Sequence, residues 1–155
     1  MKLTKEETID LAIELYLKGY NCGEASITAL MRCLGYDLEI FPRAGTALGG
    51  GFGGEHRYQC GALSAGVFAA GAAFGRDNPS QSRQNAYQLS TRLYRDFITE
   101  FGGINCFEIV GLPAVSGEAW DVPYKQLNKR QEKCQNFVRF AITRWYELAE
   151  EIEKQ

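Results

Sequence analysis

The sequence predicts an all-α fold, a helical bundle of five to six helices with a glycine-rich loop, occupying residues 1–155 as one domain. Three observations carry that expectation. Apolar residues recur at helical spacing in several segments, those segments are bounded by capping residues and glycines, and no stretch shows the strict alternation of a strand ladder. The chain has 155 residues, 45% of them hydrophobic and 23% charged, which is enough for one domain with a proper core.

The first helix is expected from about Thr4 to Lys18. Thr4 and Glu7 make a capping box, Ile9, Ala12, Ile13 and Tyr16 share a face, and Gly19 supplies the stop. The second, about Cys22 to Leu34, follows Asn21 as N-cap, buries Ala25, Ala29, Leu30 or Met31, and Leu34, and ends at Gly35. A short helix is expected at Pro42 to Leu48, followed by the loop Gly49-Gly50-Gly51-Phe52-Gly53-Gly54. The helix Cys60 to Phe74 is rich in glycine and alanine on all sides, so neighbours can approach closely, and it belongs at the bundle centre.

Asp77-Asn78-Pro79 reads as a cap opening a long helix to about Phe101. Its stripe comprises Ala86, Leu89, Leu93, Tyr94, Phe97, Ile98 and Phe101, and Gly102 and Gly103 end it. A short helix is expected at Cys106 to Val110. The segment Gly111 to Lys125 has no clear period and is expected to be an ordered loop wrapping the bundle. The last helix is expected from about Asn128 to Glu153, with Phe137, Val138, Ala141, Ile142, Trp145, Leu148, Ala149 and Ile152 inward.

The formal charge of −2 and the absence of a basic run argue against a nucleic-acid partner. The polar start Met1 to Asp10 lacks the apolar core of a secretory signal, so a cytoplasmic location is expected. The most apolar stretch, Cys60 to Phe74, is shorter than the roughly 18 residues a membrane span needs and is expected to be a buried helix. A homodimer is compatible with so apolar a chain.

Four of the five cysteines have distinctive settings. Asn21-Cys22-Gly23-Glu24 and Asn105-Cys106-Phe107-Glu108 repeat one capping pattern, with the cysteine as first helical residue, and Cys60 follows the glycine loop at a third helix start. A thiol there feels the positive end of the peptide dipoles, which favours thiolate. Cys134 heads the apolar series of the last helix, and its sulfur is expected to face the core. Cys33, between Arg32 and Leu34, is the unmatched thiol and reads as a small core hydrophobe. In a reducing compartment such cysteines are metal ligands, redox thiols or core residues rather than permanent disulfides, and no Cys-x-x-Cys pair is present.

One cysteine, then Cys60-Gly61-Ala62 with Gly66, then two further single cysteines resemble the C_GCAxxG_C_C family, named for its motif and described as redox-active. The order runs from Cys22 to Cys134 and includes the start Asn21 to Ala25; here Gln59 precedes Cys60 and Gly61 follows it. A similar cysteine arrangement lies beside the haems of split-Soret cytochromes, where it is associated with an iron–sulfur centre. The resemblance therefore implies cofactor binding by Cys22, Cys60, Cys106 and Cys134, with a two-iron or four-iron cluster as the expected cofactor and a redox protein as the expected partner. Four thiolates also suit zinc, and the same thiols could work without metal as a dithiol/disulfide couple.

The glycine loop satisfies Gly-x-Gly-x-x-Gly at Gly49, Gly51 and Gly54 but follows no strand, so a dinucleotide site is not expected; a connector or an amide nest beside a cluster is. His56, four residues before Cys60, is a candidate ligand, proton donor or gate, and more simply a loop residue. Glu24 and Glu108 read as capping groups, and Arg43, Arg57 and Lys133 as surface charges that could offset negative charge.

Overall fold

A computed structural model describes residues 1–155 and contains eight α-helices and no strand. The all-α expectation holds, with more helices than the five or six expected. Helix α1, Lys5–Leu17, opens with the expected box: Glu7 N–H donates to Thr4 Oγ1 (3.2 Å) and Thr4 N–H to Glu7 Oε2 (2.8 Å). It buries Thr8, Ala12, Ile13 and Tyr16. Helix α2, Cys22–Cys33, buries both Leu30 and Met31, and Gly35 adopts φ +92° just beyond its end.

The short helix α3 is displaced toward the N-terminus of its expected span, covering Ile40–Gly45, and a 3-10 turn, Thr46–Leu48, completes that span. Helix α4, Gly61–Phe74, packs on α2, α5 and α8, as its small residues allow. A Cβ at Gly66 would lie 2.6 Å from Leu93 Cδ2, so this glycine sets how near α5 comes. The helix is not buried all round, however: Val67, Phe68 and Gly71 are exposed.

Helix α5, Gln84–Phe101, begins seven residues later than Asp77. The polar groups expected to cap it are used in a local turn instead, where Asn78 Oδ1 accepts from Ser80 N–H (3.1 Å) and Asp77 N–H donates to Gln81 Oε1 (2.7 Å). Ala86, Leu89, Leu93 and Phe97 are buried as expected, whereas Tyr94 and Ile98 lie on the exposed shoulder of the helix. Helix α6, Cys106–Val110, is brief and ends at Gly111 with φ +75°.

The segment expected to be a loop contains helix α7, Glu118–Gln126. It escapes a periodicity test because Trp120 is its one buried residue and Pro123 interrupts it. A π-helical turn, Arg130–Cys134, then leads into α8, Gln135–Glu153, whose inward residues are those expected together with Tyr146. The main core joins α1, α2, α4, α5 and α8 around Trp145, Tyr16, Phe97, Leu30 and Leu63. Phe101 meets Phe97 and Phe137 edge-on at 4.7 and 4.8 Å between centroids. No helix is long and apolar enough to cross a membrane.

Candidate functional site

One cavity of about 170 Å3 is bordered by Cys22, Cys60, Cys106 and Cys134, four residues separated by up to 112 positions in sequence. Their elements converge because α2, the start of α4, α6 and the π-turn meet at one end of the bundle. Cys33 is elsewhere: it is wholly buried in the main core with its sulfur 3.8 Å from Leu3 O. All five cysteines are free.

Cys22 is the first residue of α2, and its cap is complete. Glu24 N–H donates to Asn21 Oδ1 (2.9 Å), and Asn21 N–H donates to Glu24 Oε2 (2.8 Å). The box is tied to the neighbouring 3-10 turn, since Asn21 Nδ2 donates to Thr46 O (3.0 Å) and Thr46 Oγ1 to Glu24 Oε1 (2.7 Å). The neighbouring Cys60 thiol first, and then the backbone amides of Gly50, Gly61 and Gly23, hold the Cys22 pKa well below the ordinary thiol range against the opposing effect of burial. Gly61 permits this closeness. A Cβ there would lie 2.6 Å from Leu48 O and 2.9 Å from Cys22 Sγ.

Cys60 is the N-cap of α4, at φ −54° and ψ 131°. Its N–H donates to Ile104 O (2.8 Å), part of an isolated antiparallel bridge between Gln59 and Asn105. Donation to the Cys22 thiolate, followed by burial, pushes its own thiol pKa up, so a helix start does not make this sulfur acidic.

Cys106 departs from expectation in a second way. Asn105 makes no capping bond and Glu108 closes no box; instead Cys106 N–H donates to Tyr58 O and Phe107 N–H to His56 O, each at 2.8 Å. The segment running into Cys60 thus supplies acceptors for the first two amides of α6. Burial first, then the charges of Cys134 and Cys22, push the Cys106 pKa up.

Cys134 closes the π-turn and is half-buried, packed against the main core as expected and bordering the cavity. Burial pushes its pKa up to about 11, against a hydrogen bond donated by Tyr124 Oη at 3.3 Å. In the metal-free reduced protein, alkylation of Cys22 should therefore be complete near neutral pH, because its thiolate fraction grows as pH passes a lowered pKa. Cys60, Cys106 and Cys134 should react only in alkaline solution. Peptide mass spectrometry after iodoacetamide treatment across a pH series checks this order.

Several bordering residues carry no signal in the sequence. Arg130, in the π-turn, places its guanidinium carbon 4.0 Å from the Tyr16 ring centroid and donates to the carbonyls of Tyr16 and, at 2.8 Å, Tyr20. It is the cation of the site; Arg43, Arg57 and Lys133 do not border the cavity. Trp120 and Tyr124 of α7 form one wall, together with His56. The His56 ring stacks on Trp120 at 3.7 Å and 6°, and because a carbonyl only accepts, its Nδ1 is the protonated nitrogen that donates to Val115 O (3.2 Å). Burial lowers the His56 pKa, favouring the neutral ring.

The glycine loop borders the cavity through Gly50, with left-handed φ at Gly50, Gly51, Phe52, Gly53 and Gly54. Gly51 is enforced by packing, since a Cβ would meet Tyr58 O at 2.7 Å and Cys106 Cβ at 2.8 Å. No group of three or more His, Cys, Asp or Glu side chains is gathered closely enough to hold a single metal ion.

The family model described as "Putative redox-active protein (C_GCAxxG_C_C)" matches residues 20–148. The chain belongs to this family. The match takes in all four cavity cysteines, the glycine loop, α7 and the π-turn, so apart from Tyr16 the site lies within the C_GCAxxG_C_C region. Neither the curated proteins nor the solved structures give a match.

Proposed function

We propose that this C_GCAxxG_C_C protein carries an iron–sulfur cluster on Cys22, Cys60, Cys106 and Cys134 and serves electron transfer or redox sensing. The supporting observation is that four cysteines from four separate elements border one cavity. A zinc ion with sulfur at about 2.3 Å would draw its ligand sulfurs to about 3.8 Å of one another. A cluster spreads its cysteines over two or four irons, so its ligands surround a volume rather than a point.

The donor set fits such a group. Burial, and at Cys60 first the bond to Cys22, keeps Cys60, Cys106 and Cys134 protonated without metal, with repulsion between the sulfurs adding to it, a balance that bound cations reverse. Amides of Gly23, Gly50 and Gly61 and the Arg130 guanidinium offset negative charge at the sulfurs, and Ile109, Val110 and Phe137 exclude water. A bound cluster supplies the uptake and release of one electron. The partner is then a redox protein, and a reducing cytoplasm suits five unpaired cysteines.

The test is anaerobic purification followed by iron, zinc and acid-labile sulfide analysis with a visible spectrum. Iron with sulfide and a broad absorption that partly bleaches on reduction supports the proposal. Colourless protein with zinc would replace it with a structural metal site. Colourless protein without metal would favour a dithiol couple, for which the pairing of the neighbouring Cys60 thiol with an acidic Cys22 is the specific observation. There the two cysteines form a disulfide while two electrons and the one Cys60 thiol proton pass to an oxidised disulfide acceptor, which is left as one thiol and one thiolate.

A further inference from the structure

Cys22 and Cys134 obtain their hydrogen-bond donors differently. Three glycine amides face the Cys22 sulfur, whereas Cys134 sits inside continuous helical backbone whose amides are committed to helix carbonyls. The hydrogen bond to its sulfur comes from a side chain of another helix, Tyr124 Oη at 3.3 Å, with the Tyr16 hydroxyl and the Arg130 charge also acting on it.

The tyrosine is held for this contact. Helix α7 is otherwise exposed, but Trp120 is buried and Pro123 and Tyr124 are half-buried, with Tyr124 packed on the main core and bordering the cavity. Its ring stacks on Trp120 at 5.9 Å and 24°, and Trp120, 3% exposed, stacks in turn on His56. The π-turn presents Cys134 to it. Such turns frequently mark functional positions, because the extra residue re-aims a side chain at some cost in helix regularity.

Resting on the cluster proposal above, we propose that Tyr124 is a positioning residue that acts through Cys134, its hydroxyl donating to the ligand sulfur and thereby setting the reduction potential of the centre. A donor at a ligand sulfur stabilises the negative charge that accompanies reduction, so it raises the potential. The same contact orients Cys134 before any metal arrives.

Tyr124→Phe tests this because it keeps the ring and its stack on Trp120 and removes only the hydroxyl. Three measurements are expected to agree. Iron content stays at the wild-type level. The midpoint potential becomes more negative, and the iron–sulfur stretching bands lose the shift on transfer to deuterium oxide that a hydrogen-bonded ligand gives. In metal-free reduced protein, where the cluster plays no part, alkylation of Cys134 at one alkaline pH becomes about tenfold slower, because its thiolate loses a charge-assisted donor. An unchanged potential with a retained deuterium shift overturns the proposal, as does loss of iron from the variant. If the wild-type protein holds no iron, the cluster proposal fails and the alkylation arm still decides the Tyr124 contact; an equal or faster Cys134 rate overturns it.

Discussion

Serine in place of Cys60 is expected to strip the anaerobically prepared protein of nearly all its iron and acid-labile sulfide, while serine at Cys33 leaves both unchanged. The two thiols are equally hidden from solvent in practical terms, at 4% and 0% exposure, so burial alone predicts equal effects. Their surroundings differ. Cys60 borders the cavity and donates to the Cys22 sulfur, whereas Cys33 lies among core side chains with only Leu3 O near its sulfur. A serine hydroxyl is a harder donor than thiolate and barely ionises, so one ligand and one charge are lost together. Losing a mere outer-shell partner costs up to about 100-fold in metal affinity, and loss of a ligand should exceed that.

Cys33→Ser should instead lower stability by about 1–3 kcal/mol, the cost of burying a poorly paired hydroxyl. Iron and sulfide per protein, with thermal melting as the control for folding, separate the two effects. Serine at Cys22, Cys106 and Cys134 should behave as at Cys60. Equal depletion in all five variants would show that the cavity cysteines have no special role.

How much of this was visible beforehand depends on where each interaction originates. Thr4 and Asn21 could be read as caps because a capping box is local: both of its bonds span three residues, and nothing distant competes at these two helices. Asn105 carries the same local pattern and does not cap; the first two amides of α6 bond the distant carbonyls of Tyr58 and His56. The Asn-Cys-x-Glu pattern alone does not decide whether its helix is capped by a side chain. The cysteine quartet was likewise visible as residues, but the acidity of its members was not. A helix start lowers the Cys22 pKa because glycine amides and the Cys60 thiol all aim at one sulfur, and the Cys60 pKa rises as the counterpart of that bond.

Helix α7 was hidden for another reason. A helix that buries one residue, Trp120, has no apolar stripe to detect, yet it brings Trp120 and Tyr124 to the cavity wall. Arg130 was passed over because in sequence it is one charge among neighbours such as Lys129, Glu132 and Lys133. Its role follows from the π-turn, which sets it beside Tyr16.

Two glycines of α4 are expected to respond to alanine with opposite signs. Gly71 is exposed in the helix interior and a Cβ there meets nothing within 4 Å. Gly71→Ala should therefore stabilise by about 0.5–1 kcal/mol, because alanine loses less backbone freedom on entering a helix. At Gly61 the same propensity gain is overwhelmed. The new methyl would meet Leu48 O at 2.6 Å, Cys22 Sγ at 2.9 Å and Gly23 N at 3.1 Å. Backbone cannot swing aside as a flexible side chain does, and retreat of the 3-10 turn is resisted in turn by Gly23, whose own Cβ position is 2.7 Å from Gly45 O. Overpacking of this kind costs about 1–3 kcal/mol and sometimes more. At about 2–4 °C per kcal/mol for a chain of this size, Gly61→Ala should melt several degrees below the wild type and Gly71→Ala a few degrees above it. Because the Gly61 amide also helps to hold the Cys22 pKa down, the shift of backbone should move Cys22 alkylation to higher pH, an effect Gly71→Ala should not share. Melting and alkylation measured on both variants check the two halves together; a Gly61→Ala protein as stable as the wild type, with Cys22 still reactive at neutral pH, would mean that α4 does not press on α2 through this glycine.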